Sequence, residues 1–117
     1  MARIKGALHA KKKHKRTLKL ARGYFGARSK QYRTAKQAVM RAMAHAFMGR
    51  KQTKREYRRL WITRINAAAR EHGLSYSRFM SGLKRAGVDI NRKILAEMAV
   101  NDAAAFSKLA ELAGSAS

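Results

Sequence analysis

Residues 74–114, LSYSRFMSGLKRAGVDINRKILAEMAVNDAAAFSKLAELAG, decide the fold. Leu74, Phe79, Met80 and Leu83 fall near one face of a helix that ends at Gly87, a left-handed C-cap. Asn91 is a good N-cap for the next helix, in which Ile94, Leu95 and Met98 recur at helical spacing and Ile90 can staple onto Leu95. Asn101 or Asp102 opens a third helix, with Phe106, Leu109, Ala110 and Ala113 at i, i+3, i+4 and i+7 before Gly114. Three short amphipathic helices share too little surface to be stable alone, so a fourth element is required.

The segment before Gly73 supplies it. Residues 29–72 are helix formers throughout with one internal glycine, Gly49, and the chain has no proline to forbid continuation. A continuous helix there would run about 65 Å at 1.5 Å per residue, more than a small domain can bury. The portion from about Leu60 to Ala69 is therefore expected to pack on the three short helices. The rest is expected to project outward, with a kink near Gly49. The fold class is all-α: a long basic helical N-terminal extension, residues 1–59, followed by a small compact helical domain, residues 60–117.

Charge separates the same two parts. The 117 residues carry a formal net charge of +22. Residues 1–59 hold twenty Lys+Arg against Glu56 alone, and residues 60–117 hold eight against five acids. Such a chain repels itself unless something anionic lies beside it. Arg50, Lys54 and Arg58 form one i, i+4 stripe, and Lys51, Arg55 and Arg59 form the next. Solvated helix faces normally mix signs, and this one does not. Tyr24, Phe25, Tyr32, Phe47, Tyr57 and Trp61 are interleaved with the cations, as rings that stack on unpaired bases would be. Phe47 and Trp61 read equally well as core. Gly23 and Gly26 of GYFG break the helix and allow close approach of backbone to a sugar-phosphate chain.

Other function classes fit poorly. The chain has no cysteine, so it has no disulfide, thiolate metal site or thiol nucleophile, which suits a reducing cytoplasm. The histidines, His9, His14, His45 and His72, form no metal motif, and the six carboxylates are scattered singly. No phosphate-binding glycine loop is present. Catalysis, a metal, a cofactor and a small-molecule substrate are therefore not expected. No apolar run is long enough for a membrane span or a signal peptide, and TLKLARGYF is too short for a membrane-active face. The acid-free first twenty residues mimic a transit peptide, but the same lysine-rich composition continues past any usual cleavage point. A nucleoid-type DNA-binding polycation is the alternative that charge alone permits. Aromatic interleaving and a broken arm favour irregular RNA over uniform duplex.

Three blocks, HAKKKHKRTLKLARGYFGARSKQYRTAKQAVMRA (9–42), RKQTKREYRRLWITRINAAAR (50–70) and GLSYSRFMSGLKRAGVDINRKILAEMAV (73–100), closely resemble the bacterial large-subunit ribosomal protein twenty family. The likeness runs from Ala2 to about Leu112. It implies a cytoplasmic protein of the ribosome that binds 23S rRNA directly and early, is needed for large-subunit assembly and meets neighbouring ribosomal proteins. In some bacteria it implies repression of the protein's own operon through the messenger.

Mapped on this chain, the resemblance places RNA contacts at Lys11, Lys12, Lys13, Lys15, Arg16, Lys19, Arg22, Tyr24, Phe25, Arg28, Lys30, Tyr32, Arg33 and Lys36. They continue at Arg50, Lys51, Lys54, Arg55, Arg58 and Arg59, with Trp61 and Arg64 at the junction. A weaker set, Ser75, Tyr76, Arg78, Lys84, Arg85 and Arg92, lies at or near helix ends, where capping and solubility account for the same residues. Ordering the arm on RNA costs conformational entropy that the contacts must exceed. The free protein is expected to have an ordered C-terminal half and a partly disordered first half. Full amide protection across residues 5–55 without RNA would contradict this.

Overall fold

The computed structural model describes residues 6–116. The first five residues of the expected extension and Ser117 lie outside the described residues. Six helices follow in order: α1 Ala7–Leu20, α2 Ala27–Lys30, α3 Tyr32–Glu71, α4 Tyr76–Arg85, α5 Arg92–Asn101 and α6 Ala103–Ser115. No strand occurs among the described residues. The fold is the expected all-α one, a long basic helical region followed by a small helical part. The chain divides between Lys51 and Gln52, inside α3, into two compact units.

The C-terminal unit is built by caps and one core. Ser75 Oγ, Asn91 Oδ1 and Asp102 Oδ1 accept from the backbone N–H of Arg78, Ile94 and Ala105, at 3.4, 3.0 and 3.0 Å. Each satisfies one of the N–H groups that a helix start leaves unpaired. The ends of α3 and α4 share a second device. Gly73 and Gly87 take φ of +75° and +74°. Leu74 N–H then reaches Ala69 O and Val88 N–H reaches Leu83 O, both at 3.0 Å. This is the Schellman arrangement, and it turns the chain sharply back onto its own core.

That core joins Ile65 and Ala69 of α3, Phe79 and Leu83 of α4, Leu95 and Ala96 of α5, and Phe106, Ala110 and Ala113 of α6. Phe79 and Phe106 stack with ring centroids 5.0 Å apart. The expected packing of residues 60–69 is thus present, carried by Ile65 and Ala69, with Trp61 and Ala68 half-buried against the core. Leu60 itself is exposed. Leu74, Met80, Ile90, Met98 and Leu109 pack on the core from the rim.

Three expectations are corrected. Ile94 is 47% exposed, because the inward arc of α5 runs from Met98 through Leu95 and Ala99 to Ala96 and leaves Ile94 at its edge. Gly114 does not stop α6, which continues to Ser115 without a positive φ. The long helix starts at Tyr32 instead of Ser29, because Gln31 is extended at φ −97°, ψ 125°. Thr34 Oγ1 holds that break, its one proton shared between Ala27 O at 2.9 Å and Gln31 O at 3.0 Å. From Tyr32 the helix is unbroken through Gly49.

The N-terminal unit has far less to hold it. Its buried cluster is Ala21, Ala35 and Val39, with Leu18 and Tyr24 half-buried against it. No residue of α1 is buried. Two alanines and a valine bury little apolar area, and at about 25 cal/mol per Å² they stabilise this unit far less than the aromatic core stabilises the other.

Gly82 reveals the tightest packing. A Cβ built there collides with the backbone carbonyl of Ala113, so α4 and α6 meet main chain to main chain. Alanine would gain about 1 kcal/mol of helix propensity, but the atoms it meets are backbone and cannot yield. Gly82→Ala is expected to lower stability by about 1–3 kcal/mol, read as a lower urea midpoint of the full chain. An unchanged or raised midpoint would show that the crossing is loose.

Candidate nucleic-acid interface

In the N-terminal unit the cations crowd exposed helical surface. Lys11, Lys12, Lys13, Lys15, Arg16 and Lys19 are all exposed on α1, and Arg22, Arg28, Lys30, Arg33 and Lys36 are exposed around the turn and the start of α3. His14 stacks on Tyr32 at 3.9 Å, so one face of that ring is covered. Between the helices, Gly23 and Gly26 adopt φ of +85° and +62°, which only glycine takes at little cost. The two residues they frame diverge. Tyr24 turns inward against Ala21, Ala35 and Val39, whereas Phe25 is 94% exposed. Phe25, Tyr24 and Arg28 line a cleft with Thr34, Gln37, Ala38 and Arg41 of α3.

Further along α3, Phe47 proves not to be core. It is half exposed and carries Lys51 Nζ 4.5 Å from its ring centroid. This is cation–π geometry, with the ring offsetting part of the charge that flanking residues cannot.

The C-terminal unit gathers residues distant in sequence around one groove. Lys54, Arg55, Tyr57, Arg58 and Trp61 of α3 face Lys84 of α4 and the Val88–Lys93 stretch that leads into α5. Its floor is apolar, made of Trp61, Met80, Leu83, Val88 and Ile90. Its charged side chains are Lys54, Arg55, Arg58, Lys84, Arg92 and Lys93 against a single carboxylate, Asp89. An apolar floor under a cationic rim accepts a base or sugar below and phosphates above. Tyr57 and Trp61 sit one helical turn apart with centroids 6.2 Å from each other.

The groove unites part of the strong set with part of the weak one, and leaves others out. Arg59 and Arg64 are exposed on α3 but do not line it, and neither do Arg78 or Arg85. Ser75 is occupied as the cap of α4. Arg85 Nη1 donates to Ala116 O at 3.4 Å. Tyr76 Oη accepts from Arg92 Nε at 2.8 Å, a part-buried bond that ties the start of α4 to the start of α5.

Lys93, Gln37 and Arg41 were not anticipated. The signal for the last two lies in the sequence: Thr34, Gln37, Ala38 and Arg41 follow i, i+3, i+4, i+7 on the helix face nearest the GYFG turn. Among the described residues, no group of His, Asp or Glu is placed to hold a metal ion, and no helix is long and apolar enough to cross a membrane.

A basic, all-helical chain with exposed cations, exposed rings and a cation-rimmed groove has the features of the class of proteins that bind polyanions. A sequence model of ribosomal protein L20 matches residues 3–109. The chain is 69% identical to the large ribosomal subunit protein bL20 of Agathobacter rectalis, over 98% of each chain. The protein of that name from Lachnoclostridium phytofermentans shows the same identity and coverage. That from Clostridium perfringens is 61% identical over 97% of this chain and 95% of its own. The chain belongs to the ribosomal protein L20 family.

Tyr76→Phe removes the acceptor of the Arg92 bond while keeping the ring. It is expected to cost about 0.5–1.5 kcal/mol, read from the urea midpoint. No change would mean that Arg92 is held by its surroundings alone.

Proposed function

We propose that this protein binds 23S rRNA directly, through its basic extension and the groove of its C-terminal unit, and that large-subunit assembly requires it. Membership of the family makes the chain a structural, non-enzymatic constituent of the large ribosomal subunit, in the cytoplasmic ribosome. The finer reading rests on one observation. Every lysine and arginine assigned to RNA between Lys11 and Arg59 is exposed, with Glu56 the one acid in that half of the sequence. Residues 1–59 are the part that enters the rRNA, and residues 60–117 form the domain that follows. Tyr24, Phe25, Tyr32, Trp61 and Arg64 add stacking and junction contacts, and Ser75, Tyr76, Arg78, Lys84, Arg85 and Arg92 add the weaker ones. Neighbouring ribosomal proteins are further partners. Repression of the protein's own operon uses the C-terminal unit on messenger RNA.

The mechanism is charge neutralisation and shape fitting. Each phosphate contacted releases condensed counterion, so affinity falls as a power of salt concentration, with an exponent of roughly 0.7 to 0.9 per contact. Rings and the apolar floor of the groove add contacts that duplex geometry does not offer.

Lys54, Arg58 and Lys84 are exposed, so Lys54→Gln, Arg58→Gln and Lys84→Gln leave the fold intact. Each is expected to weaken binding to 23S rRNA and to reduce the salt exponent by about 0.7 to 0.9. Exponents equal to that of the unmodified chain would remove the groove from the interface. Large subunits reconstituted without the protein are expected to stall as incomplete particles, and normal particles would contradict the assembly role.

A further inference from the structure

The GYFG turn and the face of α3 beside it make a site more specific than an electrostatic footprint. Phe25 is 94% exposed, yet its backbone is fixed on both sides. Gly23 and Gly26 set the turn with positive φ. Tyr24 N–H donates to Ala21 O at 3.2 Å, and the Tyr24 ring rests against Ala21, Ala35 and Val39. On the far side, Ser29 Oγ donates to Gly26 O at 3.0 Å, and Thr34 Oγ1 ties Ala27 O to the start of α3. A large apolar ring held in water by a two-glycine turn is a costly arrangement for a free surface. It presents a flat face to whatever lies beside the turn.

The cleft beneath that ring names its occupant. Its only charged lining groups are the guanidiniums of Arg28 and Arg41, and Gln37 brings one amide carrying both donor and acceptor. A phenyl face, an amide that can read a base edge and two cations fit the three parts of a nucleotide: base face, base edge and phosphates. A base paired inside a duplex exposes no face, so the nucleotide must be unpaired. Protein partners are less suited, because an apolar anchor pocket would meet two uncompensated guanidiniums.

We propose that Phe25 stacks on one unpaired nucleobase of the bound RNA, with Gln37 at its edge and Arg28 and Arg41 on its flanking phosphates. This rests on the 23S rRNA reading above and adds to it a discrete nucleotide site that includes two residues, Gln37 and Arg41, outside the basic positions already assigned.

The test uses the full chain and its Phe25→Leu, Phe25→Trp and Arg41→Gln variants. Each is titrated at moderate salt against 23S rRNA and against a fully paired RNA duplex, and the rRNA is probed chemically for protected nucleotides. Phe25→Leu is expected to weaken 23S binding by about 5- to 150-fold, the range of one base–ring stack, with the salt exponent and the duplex affinity unchanged. Phe25→Trp is expected to restore binding. Arg41→Gln is expected to lower the exponent by about 0.7 to 0.9. One unpaired nucleotide shielded by the unmodified chain should react again with Phe25→Leu. Because the ring is exposed, circular dichroism should be identical for all variants. Unmodified affinity in Phe25→Leu, or equal losses on 23S rRNA and duplex, overturns the stacking site while leaving the ribosomal reading standing. An unmodified chain that does not prefer 23S rRNA at all overturns both.

Discussion

Like-charge repulsion along α3 is the constraint on which the rest depends. Arg50, Lys54 and Arg58 repeat every fourth residue, and Lys51, Arg55 and Arg59 repeat beside them. Four i, i+4 pairs of equal sign cost roughly 1–2 kcal/mol together. Their side chains lie closer than the Debye length of about 8 Å at physiological salt, so dissolved ions relieve only part of that cost. Good helix formers hold the segment helical despite it. Lys51 on the Phe47 ring is one local compensation. On the proposed reading, the larger compensation comes from outside the chain, as the phosphates of bound rRNA.

The two units answer this constraint differently. The C-terminal unit has the core: four helices, stacked Phe79 and Phe106, and main-chain contact between α4 and α6 at Gly82. Its groove is preformed, with the Tyr76–Arg92 bond fixing one rim cation. The N-terminal unit closes over three small side chains. Its surface is given over to exposed lysine and arginine.

Much of this was legible in the sequence because caps and periodicity are local. Asn91 and Asp102 stand where helix starts require an acceptor, Gly87 stands where a left-handed residue is required, and Phe79, Leu83, Leu95 and Phe106 fall on the inward faces that their spacing indicates. What was not legible depends on how faces meet. Ile94 has the right period, but the arc of α5 that finds a partner is centred on Leu95 and Ala99. Gly82 looks like an ordinary helical glycine until Ala113 lies against it. Phe47 and Trp61 cannot be sorted from sequence, because the choice between core and surface depends on what packs opposite: the C-terminal core covers most of Trp61, whereas Phe47 is half exposed. The candidate interface follows the same rule. Its cations are evident in any count, whereas the meeting of Arg58 with Lys84 around one groove exists only in three dimensions.

The claim that separates a ribosomal protein from a generic polycation is selectivity that outlasts salt. Binding of the full chain to 23S rRNA, to unrelated RNA of equal length and to duplex DNA, across a salt series, tests it most directly. A preference for 23S rRNA that persists as salt rises through the physiological range is the predicted result. Equal binding to all three, lost together as salt rises, would contradict the proposed direct and selective binding of 23S rRNA.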